Sequence, residues 1–155
     1  MILRLAFIFL LLPLAAQACD QLGSDFEFCP EGFWAAADIE VFGDGATFHG
    51  DGFDLDYNQP YPGRGTGTIA EDMDAFIDFL DIPVDWVLST TPLEAEGKTG
   101  IIQVVHDRDI SRMIAQAIIE IDGKRIMLWV TAPEDTAPEA VTAKLTEAIG
   151  ALKLT

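Results

Sequence analysis

Basic residues are scarce in this sequence. Its 155 residues include 9 lysines and arginines against 26 aspartates and glutamates, which gives a formal net charge of −17. From Cys19 to Asp85 there are 16 acidic residues and one basic residue, Arg64. Such a charge repels nucleic acid and anionic lipid surfaces, so we expect no nucleic-acid partner. It favours a basic protein partner or divalent cations, and it also fits plain solubility in a salty environment.

Several signatures of catalysis are missing as well. The three serines, Ser24, Ser89 and Ser111, lie outside any Gly-x-Ser-x-Gly elbow. There is no phosphate-binding loop and no dinucleotide-binding fingerprint. We therefore predict no catalytic residue, no cofactor and no metal, and favour a non-enzymatic protein. The alternative is a small hydrolase or metal-dependent enzyme that uses the two histidines, His49 and His106, with nearby acids.

A long apolar run occurs only at the N-terminus, which reads MILRLAFIFLLLPLAAQA. Arg4 precedes the run, and Ala16 and Ala18 place small residues at a cleavage site. This pattern predicts a secretory signal peptide over 1–18 and a single domain over 19–155, without a transmembrane segment in the mature chain. We expect the protein in the periplasm or outside the cell.

The two cysteines, Cys19 and Cys29, both lie at the predicted mature N-terminus. In an oxidising compartment such a pair normally forms a disulfide, which would hold down a terminus that otherwise frays. The alternative makes Cys19 the lipidated first residue of an envelope lipoprotein. Gln17 and Ala16 fit a lipoprotein signal poorly, and lipidation would leave Cys29 unpaired.

The stretch HGDGFDLDYNQPYPG, residues 49–63, concentrates a histidine and three aspartates. The spacing of Asp54 and Asp56 resembles the start of a calcium-binding loop, but the glycine and glutamate that such a loop needs are missing. Leu55 and Tyr57 alternate with the acids, which predicts a half-buried strand after an Asp-Gly turn. We therefore expect a strand here and no specific calcium site.

The loop that follows this strand is a candidate recognition loop, because loops on rigid scaffolds often carry binding residues. The candidate binding residues are Tyr57, Tyr61, Arg64 and His49. The alternative is an ordered connection in which Arg64 neutralises a neighbouring carboxylate.

A capping box at Thr68 starts a predicted helix over residues 69–80. Its outer face carries Glu71, Asp74, Asp78 and Asp81, which we call the acidic stripe. Like charges on one helical face destabilise the helix slightly, so this stripe is either a solvated surface or a docking face for a basic partner.

The clearest local signal is Asp122-Gly123, the preferred dipeptide of a two-residue hairpin, between two long apolar runs. In that register Glu120 faces Arg125, and both faces of the strands are mainly apolar, so both must be covered. A second capping box, Thr136 to Glu139, predicts a terminal helix.

The predicted order is three strands, a helix, about four strands and a helix, with residues 90–100 as a polar loop. The fold class expected is α+β. It has a mainly antiparallel sheet of six to seven strands with helices packed on its faces, and a C-terminal β-hairpin followed by a long amphipathic helix.

The segment GIIQVVHDRDISRMIAQAIIEIDGKRIMLWVTAPEDTAPEAVTAKLTEAIGALKL, residues 100–154, resembles the ending of PsbP-like and DcrB-like exported domains. The resemblance implies a sheet between helices. It also implies a non-enzymatic accessory or binding role, as is usual for members in the periplasm, the thylakoid lumen or the nucleus. It carries over no functional residue.

Overall fold

The computed structural model describes residues 19–42, 45–58 and 67–155. The predicted signal peptide and the candidate residues Tyr61 and Arg64 lie outside these ranges. Within them, neither α-helix is long and apolar enough to cross a membrane.

The described part contains ten strands, two α-helices and two single turns of 3-10 helix, Trp34–Ala36 and Val84–Trp86. The first five strands are β1 (Asp20–Leu22), β2 (Phe26–Phe28), β3 (Asp38–Phe42), β4 (Gly45–His49) and β5 (Asp54–Asn58). Helix α1 (Ile69–Phe79) follows β5. The remaining elements are β6 (Val87–Ala95), β7 (Lys98–Asp107), β8 (Arg112–Ile121), β9 (Lys124–Pro133), α2 (Pro138–Ala151) and β10 (Leu152–Leu154).

Seven of the strands form one sheet in the order β3-β4-β5-β9-β8-β7-β6, and every neighbouring pair is antiparallel. The other three form a small sheet in the order β1-β2-β10. The large sheet agrees with the predicted strand number, but the small sheet was not predicted. Its strands have three residues each, which is too short to leave a period in the sequence.

The predicted α+β fold class is wrong, because the described chain is mainly β, with 49% strand and 25% helix. Residues 90–100, expected as a polar loop, belong to β6, the turn after it and the start of β7. As an edge strand that contains Pro92 and is mostly exposed, β6 lacks the apolar alternation that marks a strand. The terminal helix is followed by β10, which pairs with β2.

Two local predictions also need correction. The apolar sequence of residues 33–42 predicts one strand, but Trp34–Ala36 forms a 3-10 turn and β3 begins only at Asp38. The capping box expected from Thr136 to Glu139 does not form. The N-cap of α2 is Ala137, and Pro138 occupies the first turn, where its missing N–H needs no acceptor.

The central strands are covered on both faces. On one face, which we call the α2 face, Val141, Leu145 and Ala148 of α2 join a core that includes Ala117 and Leu128. On the other, the α1 face, Met73 and Phe76 of α1 pack with Ile118 and Met127 in a smaller cluster. Helix α1 contacts β7 and β8, so it spans only part of its face.

The β8–β9 hairpin turns at Asp122-Gly123 as predicted. Both residues have positive φ, 48° and 75°, as this turn type requires. Glu120 pairs with Arg125 across the strands, and Arg125 Nε lies 2.6 Å from Glu120 Oε2.

The small sheet closes one side of the α2-face core. Its buried side chains are Leu22, Phe26, Phe28 and Leu152. Next to it, the sulfur atoms of Cys19 and Cys29 lie 2.06 Å apart, in agreement with the predicted disulfide.

Candidate binding groove

The two histidines lie far from each other. His49 on β4 pairs with Asp54, whose partner on β9 is Thr131, and these side chains share the α1 face. His106 on β7 pairs with Met113, which is paired with Ala132 on the α2 face. Four inter-strand steps, about 19 Å, and the thickness of the sheet separate them. No shared histidine pocket exists among the described residues.

His49 belongs to a solvent-exposed cluster on β3, β4 and β5. Its Nδ1 lies 2.8 Å from Asp54 Oδ1, and its Nε2 lies 3.4 Å from Glu40 Oε2. The hydrogen bond to Asp54, followed by that to Glu40, raises the pKa of His49 above its usual range. One imidazole faces two carboxylates, so the cluster keeps a net negative charge at the protein surface.

His106 lies near the end of β7. Its Nε2 is buried without a hydrogen-bond partner in the described chain, and Glu134 Oε2 is 3.9 Å away. One histidine and one exposed carboxylate at that distance do not make a nucleophilic or metal site.

Tyr57, a candidate binding residue, lies in the core. It is 7% exposed, and its hydroxyl oxygen accepts the Gly23 N–H at 3.0 Å. Tyr57 therefore ties the turn between β1 and β2 to the large sheet.

The acidic stripe is exposed, and Glu71, Asp74 and Asp78 lie on the side of α1 opposite the residues that pack on the sheet. Asp81 is not on this face, because α1 ends at Phe79 and Asp81 has a positive φ of 55°. Glu71 forms part of the predicted capping box, in which its Oε2 accepts the Thr68 N–H at 2.6 Å. That backbone hydrogen bond lowers the pKa of Glu71. Asp74, Asp78 and Asp81 face solvent.

Only one group of described side chains lies close enough together to hold a metal ion, and it consists of Cys19, Glu27 and Cys29. The two sulfur atoms are at disulfide distance, so they offer no thiolate. The group therefore gives no metal centre.

A row of hydrogen-bonding side chains crosses the α1 face from one edge strand to the other. Consecutive cross-strand pairs align Glu40, Thr47, Asp56, Trp129, Gln116, Gln103 and Thr90, which we call the polar row. Beneath α1, the Gln116 amide donates to Gln103 Oε1 at 3.1 Å. Beyond α1, on the open part of the face, the Thr47 hydroxyl donates to the Asp56 carboxylate, and Trp129 lies directly across from Asp56 on β9.

A groove of about 380 Å³ opens where the polar row emerges from beneath α1. One side is the C-terminal end of α1 and the segment after it, and another is the β7–β8 turn. Its apolar lining residues are Phe76, Phe79, Leu80, Ile82, Ile110 and Ile114. The remaining lining residues of the groove are Trp129, Gln116, Thr131 and Asp107.

The rim of this groove exposes large apolar side chains. Phe79 is 65% exposed, Ile110 60% and Leu80 46%. Three large apolar side chains gathered around one concavity differ from the singly scattered surface residues that are usual on proteins. The floor is rigid by comparison, because Trp129 and Gln116 belong to the two central strands β9 and β8.

Asp56 stands beside the groove, directly across from Trp129. Partial burial raises the pKa of the Asp56 carboxyl above its usual range, although the hydrogen bond from Thr47 acts in the opposite direction. Among the described residues, no lysine or arginine forms an ion pair with Asp56. Asp56, which the sequence places on the outward side of β5, is thus a half-buried hydrogen-bond acceptor and not a fully solvated residue.

The sequence reasoning did not find Trp129, Gln116 or the groove. The available signal was that polar residues interrupt one face of otherwise apolar central strands. Only the pairing of β5 with β9 brings Asp56 next to them.

No protein-family model matches this chain, and no curated protein matches it either.

Proposed function

We propose that the mature chain is an exported, non-enzymatic binding protein, and that the groove between α1 and the sheet receives the apolar part of its ligand. The observation that carries this proposal is the apolar rim of Phe79, Leu80 and Ile110 around a concave site with a polar floor. Small-molecule sites have this character, with apolar walls, a few placed polar groups and a volume of about 300–1,000 Å³.

The disulfide pair Cys19–Cys29 supports export, since such bonds persist in oxidising compartments. It also argues against the lipoprotein alternative, because lipidation would use the sulfur atom that the disulfide holds. The enzyme alternative is not favoured, since His49 and His106 lie on opposite faces of the sheet.

The resemblance to PsbP-like and DcrB-like domains agrees with an accessory or binding role, and this role remains a proposal.

A basic protein partner that docks on the acidic stripe is a separate proposal. Asp74 and Asp78 are exposed on the side of α1 opposite the sheet, and Asp81 is exposed in the segment after the helix. Reversing all three to lysine should abolish capture of that partner without lowering the melting temperature, and unchanged capture would remove this docking face.

A neutral aromatic probe, 2-phenylethanol, tests the groove. In a titration followed by NMR, the indole N–H signal of Trp129 should shift saturably. The double variant Phe79→Ser/Ile110→Ser should weaken that binding by about tenfold or more, because each residue contributes apolar contact area.

Val84→Ser is the matched control. Val84 is 85% exposed and does not line the groove, so this substitution should leave the affinity unchanged. The absence of a saturable shift in the wild type, or equal loss in both variants, would refute the proposed function.

A further inference from the structure

One end of the groove differs from the rest in charge. Two of its lining residues, Trp129 and Thr131, have Asp56 and Asp54 as their cross-strand neighbours on β5, just outside the lining. The three outer strands on that side, β3, β4 and β5, carry no lysine or arginine. A ligand whose apolar part rests in the groove would therefore place its next atoms against carboxylates.

The two carboxylates are not equivalent. Asp54 accepts a hydrogen bond from His49, which balances its charge when the imidazole is protonated. Asp56 accepts a hydrogen bond from the Thr47 hydroxyl, a neutral donor, and lies directly across from Trp129. A half-buried carboxylate with a neutral partner and an aromatic ring at its side matches the way proteins recognise ammonium groups.

Asp107 lines another part of the groove, but its surroundings reduce its role as an anion. Its Oδ1 accepts the backbone N–H groups of Asp109 and Ile110 at 3.0 and 3.2 Å. Arg112 lies directly across from it on β8. The negative end of the groove is therefore the Asp56 end.

We infer that the groove binds a small organic cation, an ammonium or guanidinium group on an aromatic or aliphatic body, with the cationic group at Asp56 and the apolar body against Phe79, Ile110 and Trp129. This inference rests on the proposed function and specifies its ligand class. The groove volume suits a small molecule, and the long-range field of a chain with net charge −17 attracts cations to it.

Three probes with a similar apolar body distinguish the contribution of the ligand's charge from that of its apolar contacts in the groove. 2-Phenylethylammonium is cationic, 2-phenylethanol is neutral and 3-phenylpropionate is anionic. We expect the cation to bind about tenfold more tightly than the alcohol, since a hydrogen bond to a charged group is stronger than one between neutral groups, and the anion to bind more weakly than either.

Asp56→Asn should weaken binding of the cation about tenfold relative to the wild type. It should change the affinity for 2-phenylethanol by less than about twofold, because the amide keeps the shape of the side chain without its charge. Asp122→Asn is the matched control. It removes the same charge in the hairpin turn, roughly 20 Å along β8 from Gln116 in the groove, where salt screens its effect.

The outcomes distinguish the two proposals. If the alcohol binds in the groove but the cation binds no better, or if Asp56→Asn and Asp122→Asn weaken it equally, the ligand class is overturned while the proposed function stands. If none of the probes binds, both are overturned. If only a peptide of alternating leucine and lysine binds, with the same Asp56 dependence, the occupant is a protein segment and the small-cation inference is overturned.

Discussion

Arg125 is the residue whose replacement should destabilise this fold most clearly. Its Nη1 lies 2.6 Å from Asp72 Oδ2 and 2.8 Å from the Gly67 carbonyl oxygen, and its Nε lies 2.6 Å from Glu120 Oε2. Asp72 is 1% exposed. The cluster joins the start of α1 to the β8–β9 hairpin, on the face that α1 covers.

Arg125→Met keeps a long apolar stem and removes the guanidinium. Asp72 is then a buried carboxylate that has lost the guanidinium of Arg125, and we expect this to cost about 3–5 kcal/mol in unfolding free energy. With a urea m-value of about 2 kcal/mol/M, the unfolding midpoint should fall by roughly 2 M. Urea denaturation followed by tryptophan fluorescence and circular dichroism measures this directly.

Two further variants test the reasoning. Lys124→Met, one residue earlier, removes an ion pair with Asp25 that is 3.2 Å long but exposed, and should cost less than about 1 kcal/mol. Asp72→Leu/Arg125→Met removes both buried charges and should be more stable than Arg125→Met alone. A loss below about 1 kcal/mol for Arg125→Met, or a double variant less stable than the single one, would refute the argument.

Three other predictions concern the terminus and the open part of the α1 face. Replacing Cys19 and Cys29 by serine should cost about 3 kcal/mol in urea unfolding, since it frees a short loop in the unfolded chain, and an unchanged midpoint would contradict this. Burial raises the pKa of Asp56, so its contribution to stability is full below its unfolded pKa of 3.8 and is lost as the pH rises through the folded pKa. Asp56→Asn should therefore melt at a higher temperature than the wild type at pH 7 but not at about pH 3, and an equal difference at both pH values would contradict that cause. Asp54→Asn should lower the pKa of His49 toward 6.5 in an NMR titration, since the hydrogen bond to Asp54 is the main cause of its elevation, and an unchanged pKa would assign the elevation elsewhere.

Several parts of this protein follow from local sequence. Asp122-Gly123 determined the hairpin and hence the register that places Glu120 across from Arg125. Thr68 and Glu71 determined where α1 begins, since the capping box satisfies two backbone donors within four residues. The alternation of Leu55 and Tyr57 with the acids determined β5. Each of these signals acts over a few residues, so it survives without knowledge of the rest of the chain.

The binding groove and the polar row arise from tertiary structure alone. Asp56 and Trp129 are neighbours because β5 pairs with β9, and no periodicity within either strand indicates that pairing. The small sheet likewise needs β2 and β10, from opposite ends of the described chain, to meet. Sequence patterns record which side of an element faces the core. Which elements lie side by side depends on how all of them share one core, and in this protein that arrangement decided the fold class and the candidate site.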